Sequence, residues 1–165
     1  MADDVEGEGA PVPDSLLPGL GQAEASTGPR VQYAALPYRF DKNGQIEVLL
    51  ITSRTTKRWI IPKGWPMGER APHKVAAQEA FEEAGIEGRA AKKSIGAYNY
   101  DKLLSNGTST PCRAEVFALK VEKQKSIWPE RKQRKRRWLS LEEAANLISD
   151  TELAPLIRAF EPAAR

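Results

Sequence analysis

The sequence predicts an α+β fold built on a mixed β-sheet, on three observations. Strand-like apolar runs outnumber helical ones, and no regular βα repeat is present. One alanine-rich helix carries a stripe narrow enough to lie close on a sheet.

The elements follow in order. Val31, Tyr33 and Ala35 alternate with other residues and read as a strand. Asp41-Lys-Asn-Gly44 is a turn, because Asn43-Gly44 accepts positive φ, and Ile46–Ile51 follows as a buried strand, so the two runs form a hairpin. Trp59–Ile61 is a short strand stopped by Pro62, and 62–68 reads as a Gly/Pro loop. A helix spans about Pro72 to Ala84 and ends at Gly85. Its apolar stripe is expected to be Ala77, Ala80, Phe81 and Ala84. Ile95–Tyr100 and Ala114–Val121 read as strands, and Trp138-Leu139 is a third apolar run. Ser140-Leu-Glu-Glu143 is a capping box that opens a helix to about Ile148, and a last helix covers Glu152 to Phe160.

Composition limits the function. Of the 165 residues, 41% are hydrophobic, enough for a core, and no apolar run reaches membrane-spanning length. The acidic N-terminus lacks the basic and apolar regions of a secretory signal, so a cytoplasmic location is expected. Cys112 is the only cysteine and His73 the only histidine, which excludes disulfide scaffolds, Cys/His zinc sites and HExxH chemistry. Residues 1–28 hold six acids and no Lys or Arg, and read as a disordered Gly/Pro-rich tail. Residues 29–165 then form one domain with 25 basic and 16 acidic residues, a net charge of +9. Such a domain favours anionic partners.

The helix over 72–84 carries the functional argument. Glu79, Glu82 and Glu83 stand at i, i+3 and i+4, so their carboxylates converge. Like charges at these spacings cost about 0.2–0.5 kcal/mol per pair. The helix dipole disfavours anions in the last turn by about 0.3–1 kcal/mol each. A divalent cation relieves this repulsion most simply, and Mg²⁺ suits an all-oxygen set. Gly64 allows close backbone approach to a metal or phosphate, and Arg54, Arg58 and Lys63 add positive charge nearby. Metal-holding carboxylates beside phosphate-holding cations are what hydrolysis of a phosphoanhydride needs, and a free carboxylate can take the proton of the attacking water.

The stretch Gly64–Ile86, GWPMGERAPHKVAAQEAFEEAGI, resembles the Nudix box, Gly-x5-Glu-x7-Arg-Glu-U-x-Glu-Glu-x-Gly-U with U aliphatic. Gly64, Glu79, Glu82, Glu83, Gly85 and Ile86 fall in register. Arg-Trp-Ile-Ile-Pro at 58–62, Arg113 entering a strand, and the run 134–145 extend the likeness to the diphosphoinositol polyphosphate phosphohydrolase and diadenosine polyphosphate hydrolase branch. The resemblance implies an α/β/α Nudix sandwich around a mixed sheet and Mg²⁺- or Mn²⁺-dependent pyrophosphate hydrolysis. It implies Glu79, Glu83 and the Gly64 carbonyl as metal ligands and Glu82 as proton acceptor, with Glu115 and Glu130 as outside candidates for that role. Two positions depart from the pattern: Arg70 stands where the box has Glu, with Glu69 one place early, and Gln78 stands where it has Arg.

The run Arg131–Arg137 holds six cations in seven residues and precedes Trp138. If this segment is extended, Arg134, Arg136 and Trp138 share one side, and Arg54, Lys63 and Arg113 complete a cradle for a polyphosphate. The expected partner is a phosphate-rich small molecule, such as a diphosphoinositol or diadenosine polyphosphate, ahead of nucleic acid. Two rival readings are a Nudix-fold nucleotide- or RNA-binding module and a decapping or nucleotide-pool pyrophosphohydrolase. The last would need a base pocket from Trp65 with Tyr98 or Tyr100. The oligomeric state stays open.

Overall fold

A computed structural model of the chain describes residues 28–163. The expected acidic tail therefore lies outside the described residues, apart from Gly28. Strand β1 (Arg30–Phe40) and β2 (Ile46–Thr52) form the expected antiparallel hairpin, with Phe40 opposite Ile46. Its turn is held by the Asp41 carboxylate, which accepts from the amides of Asn43 and Gln45 at 2.8 and 2.9 Å. Gly44 there has φ 80°.

Three short strands follow or flank the hairpin. β3 (Trp59–Ile60) pairs with β2. β4 (Lys63–Gly64) falls within the stretch expected to be a loop, and pairs with β1 through Tyr33 and Ala34. β5 (Ile86–Ala90) has no counterpart among the sequence expectations; it leaves the helix end directly and pairs with β7 (Ser109–Gln124). β6 (Gly96–Leu103) and β7 (Ser109–Gln124) form a second long hairpin, and β7 runs parallel to β1 from Arg30–Cys112 to Tyr38–Lys120. β8 (Arg136–Ser140) pairs with β2. The path β3-β2-β1-β7-β5 is thus a mixed sheet, because only the β1–β7 pair is parallel.

Alternation along the strands makes two cores. Ala34, Leu36, Tyr38, Val48 and Leu50 face one way and meet helices α2 (Leu141–Leu147) and α3 (Leu153–Arg158) through Ala144, Ala145, Leu153 and Ile157. Ala35, Leu49, Ile51, Phe117 and Leu119 face the other way and meet helix α1 (Pro72–Ala84) through Ala76, Ala80 and Ala84. The result is an α/β/α sandwich, as expected. The capping box of α2 forms, with Ser140 accepting from the Glu143 amide and Glu143 from the Ser140 amide.

The buried stripe of α1 differs from the expected one. It is Val75, Ala76, Ala80 and Ala84; Ala77 packs at its margin, and Phe81 joins neither core. An i, i+4 row of alanines lets the helix backbone come closer to the sheet than a row containing Phe81 would. That rotation also turns Glu79 and Glu83, another i, i+4 row, inward beside the stripe.

Candidate active site

The C-terminal end of α1 explains how the site is assembled. A helix leaves its last carbonyls without partners. Here four consecutive carbonyls are satisfied from the segment 125–136. The Glu130 amide donates to Glu82 O at 3.1 Å, and Lys125 N to Gly85 O at 2.8 Å. Trp128 Nε1 donates to Glu83 O at 3.1 Å, and Arg136 Nη1 to Ala84 O at 2.7 Å. Arg136 Nη2 also donates to Lys125 O at 2.7 Å, and its guanidinium lies 3.9 Å over the Trp128 ring. A cation at this end offsets the helix dipole. The same docking carries Glu130 and Arg134 to the cavity beside α1.

That cavity has a volume of about 340 Å³, and its wall includes Gly64, Glu79, Glu83 and Glu130. Glu79 is half-buried and Glu83 is buried. Burial, then the neighbouring Glu83 charge, pushes the Glu79 carboxyl up to about 10, and the two carboxyls share a hydrogen bond. Burial also raises the Glu83 carboxyl, opposed by Arg134, whose Nη2 lies 3.7 Å from Glu83 Oε1. Without a cation between them the pair therefore holds a proton. Gly64 faces Glu79 so closely that a Cβ there would lie 2.3 Å from Glu79 Cδ.

Among the described residues, no three His, Cys, Asp or Glu side chains are grouped to enclose a metal ion. Glu130 is engaged by Arg134, which leaves two inward-facing carboxylates, Glu79 and Glu83, beside a residue with no side chain. An all-oxygen, proton-sharing pair with open backbone next to it suits a hard divalent cation, which would take the place of the shared proton. The residues present fit Mg²⁺ or Mn²⁺ on that ground.

Five cations, Arg54, Arg58, Lys63, Lys102 and Arg134, line the same cavity. Arg134 is buried and held from two sides: Nε donates to Glu130 Oε1 at 2.9 Å, and Nη1 to the Thr52 carbonyl at 3.0 Å. Of the residues expected in the cradle, the structure brings Arg54, Lys63 and Arg134 into this wall and leaves two outside it. Arg113 lines a separate hollow with Val31, Gly96 and Glu115. Arg136 holds the helix end instead. The segment 131–137 is not a continuous strand, because Arg131–Gln133 forms a 3-10 turn, and the strand begins only at Arg136.

Glu82 does not line the cavity, although its charge is close enough to raise the Glu79 carboxyl. Its Oε2 accepts from Gln78 Nε2 at 2.9 Å, and Gln78 Oε1 accepts from Arg70. Glu69 is exposed and outside the wall, and half-buried Glu115 lines the hollow beside Arg113 instead.

Lys102, Gln32 and Trp128 were not found from the sequence as parts of the site. Lys102 carried a signal, because it follows Tyr98 and Tyr100 at the strand period of two. Buried Gln32 accepts from the Tyr100 hydroxyl, a contact between strands far apart in sequence. The base pocket that a decapping or nucleotide-pool enzyme would need is not free: Tyr98 is fully buried in the core, Arg30 stands 4.5 Å over the Trp65 ring, and Lys63 stands 4.9 Å over that of Tyr100.

A family model described as the NUDIX domain matches residues 30–160. The chain is 34% identical over 139 residues to Nudix hydrolase 21, chloroplastic, of Arabidopsis thaliana, which covers 82% of this chain and 68% of that protein. It is 28% identical over 117 residues to diphosphoinositol polyphosphate phosphohydrolase 3-alpha of Mus musculus, covering 70% of this chain and 66% of that one. The fold is similar to the crystal structure of a C. elegans Ap4A hydrolase binary complex, with a TM-score of 0.61 at 20% identity over 78% of this chain and 93% of the other. Among the described residues, no helix is long and apolar enough to cross a membrane.

Proposed function

The chain belongs to the NUDIX family, and from that premise we propose that it hydrolyses phosphoanhydride bonds in a highly anionic substrate, a diphosphoinositol polyphosphate ahead of a diadenosine polyphosphate. The observation that carries this reading is the facing of five cations and the Glu79–Glu83 pair across one cavity. Cations already stand over the Trp65 and Tyr100 rings, so aromatic surface that could stack a base is spent on positive charge. A ligand covered in phosphate uses that charge better than a nucleobase does. The name of the Mus musculus relative points the same way.

Each residue has a part. Arg54, Arg58, Lys63 and Lys102 bind and orient phosphate groups. Glu79 and Glu83, with the Gly64 backbone, would hold Mg²⁺ or Mn²⁺, which when bound supplies electrophilic stabilisation of the charge that develops on phosphate oxygens. Arg134 holds Glu83 and Glu130 in place. Glu82, held at Oε2 by Gln78 outside the cavity wall, would take the proton of the attacking water through a bridging water.

Chromatographic separation of products with Mg²⁺ tests the reading on four substrates in parallel: a diphosphoinositol polyphosphate, which yields orthophosphate, and a diadenosine polyphosphate, ADP-ribose and capped RNA, which yield two phosphorylated fragments. The expected order places the inositol compound first. Turnover that is fastest on capped RNA or ADP-ribose contradicts the substrate class. Tight binding of the anions with no turnover on any contradicts the enzymatic reading and supports a binding module.

A further inference from the structure

The two positions that depart from the Nudix pattern touch each other. Arg70 Nη1 donates to Gln78 Oε1, and Gln78 Nε2 donates to Glu82 Oε2 at 2.9 Å. Gln78 and Glu82 are one turn apart on α1, so the second bond is an i, i+4 pair. Arg70 stands off the helix, in a turn closed by its own amide on the Met67 carbonyl at 2.9 Å. Gly68 within that turn has φ 54°, a conformation that strains other residues.

The chemistry of the amide gives this chain a direction. Gln78 has one acceptor end and one donor end, and both are used. Flipping the amide would set its NH₂ against the guanidinium and its oxygen against the carboxylate. The positive guanidinium also polarises the amide, which strengthens the N–H that Glu82 accepts. Glu82 needs such a hold. It sits between Glu79 and Glu83 in sequence register, in the last turn of the helix, where like charge and the dipole both push its carboxylate toward solvent.

We infer that Arg70 is a positioning residue, which acts through Gln78 to hold the Glu82 carboxylate, and that the two departures are one compensated exchange. The box places an acid at position 70 and a cation at position 78. This chain moves the cation into the turn and carries its effect back to Glu82 through a neutral amide. The inference rests on the reading of Glu82 as proton acceptor.

Steady-state kinetics of the full chain on a diphosphoinositol polyphosphate, with Arg70→Ala, Gln78→Ala, Arg70→Glu, Glu82→Gln and the reversed pair Arg70→Glu/Gln78→Arg, test it. Arg70→Ala and Gln78→Ala are each expected to lower kcat about tenfold with KM within about twofold, as for a misplaced general base. Arg70→Glu should lower kcat further, and the reversed pair should recover most of it by restoring an acid–cation contact whose cation reaches Glu82. Single variants with full kcat, beside a Glu82→Gln protein that has lost it, overturn the inference alone. So does a reversed pair no better than Arg70→Glu. A Glu82→Gln protein with full kcat overturns the reading of Glu82 and the inference with it. The Gln78 side-chain amide in a ¹H–¹⁵N spectrum supplies a readout independent of turnover. Its two protons should be well separated in the native protein and move together in Arg70→Ala; an unmoved resonance in a folded variant overturns the relay.

Discussion

Gly64 and Glu79 come from two different elements, a two-residue strand and the face of α1. They meet so closely that a Cβ on Gly64 would lie 2.3 Å from Glu79 Cδ and 2.4 Å from Oε2. A hydrogen at position 64 is thus a condition for Glu79 to face the cavity. The Gly64→Ala protein should fold with β4 weakened and Glu79 displaced by an ångström or more. Its kcat should fall by about 10²-fold, the effect of such a misplacement near reacting atoms. Circular dichroism checks that the fold persists, and unchanged kcat in a folded Gly64→Ala protein contradicts the close approach.

The Glu79 carboxyl, raised from 4.5 to about 10, predicts a pH dependence of stability in metal-free protein. Between those values the native chain keeps a proton that the unfolded chain releases, so stability falls as pH rises. The contribution is intact below pH 4.5 and is lost progressively toward pH 10. Thermal unfolding in EDTA should therefore show Tm falling across pH 5–9, and Glu79→Gln should flatten that slope. Excess Mg²⁺ should flatten it as well, because the cation takes the place of the proton.

Lys63 and Lys102 are expected to act on binding. Replacing either with Ala removes one charge-assisted contact to phosphate, about 1.5–3 kcal/mol, which raises KM roughly 10- to 100-fold. That penalty should shrink as ionic strength rises. Arg113→Ala should leave KM unchanged, since Arg113 lines a different hollow. A KM for Arg113→Ala raised as far as that of Lys102→Ala would mean the substrate reaches across β7.

Trp128 and Arg136 predict a stability effect with little effect on KM. Trp128→Phe removes the donor to the Glu83 carbonyl, at a cost of about 1 kcal/mol and about 3 °C in Tm. Arg136→Ala unsatisfies two carbonyls and should cost about 3 kcal/mol. Calorimetry reads both. A raised KM with unchanged Tm in Arg136→Ala would return this residue to the phosphate cradle that the sequence suggested.

The sequence made local structure legible where one residue type does one job. Gly44, Gly85 and the Ser140 box each fix an element end through nearby backbone, and all three appear as expected. The carboxylate row on α1 was visible for the same reason, since helical spacing is regular. What stayed hidden depends on contacts across long sequence distances. β4 is a strand only because β1 lies beside it, and β5 only because of β7. The role of Arg136 follows from where 125–136 docks on α1, which neither charge nor spacing encodes. The run 131–137 looked uniform as a string of cations, yet after the 3-10 turn Arg134 lines the cavity wall while Arg136, two residues on, holds the helix end. Of the stripe on α1, Ala80 and Ala84 are as expected, and Ala76 takes the place of Ala77 because both fit the apolar period and only the sheet chooses between them.

The most direct test of the whole account is Mg²⁺-dependent phosphate release by the native chain and by Glu83→Gln, with a diphosphoinositol polyphosphate as substrate. The substitution keeps shape and removes the charge that Arg134 holds in place. We expect no release in chelator, release restored by Mg²⁺, and a kcat lowered by at least about 10²–10³-fold in a folded Glu83→Gln protein. Release that persists in chelator, or a Glu83→Gln protein with native kcat, would contradict the claim that the Glu79–Glu83 pair is the centre of the chemistry.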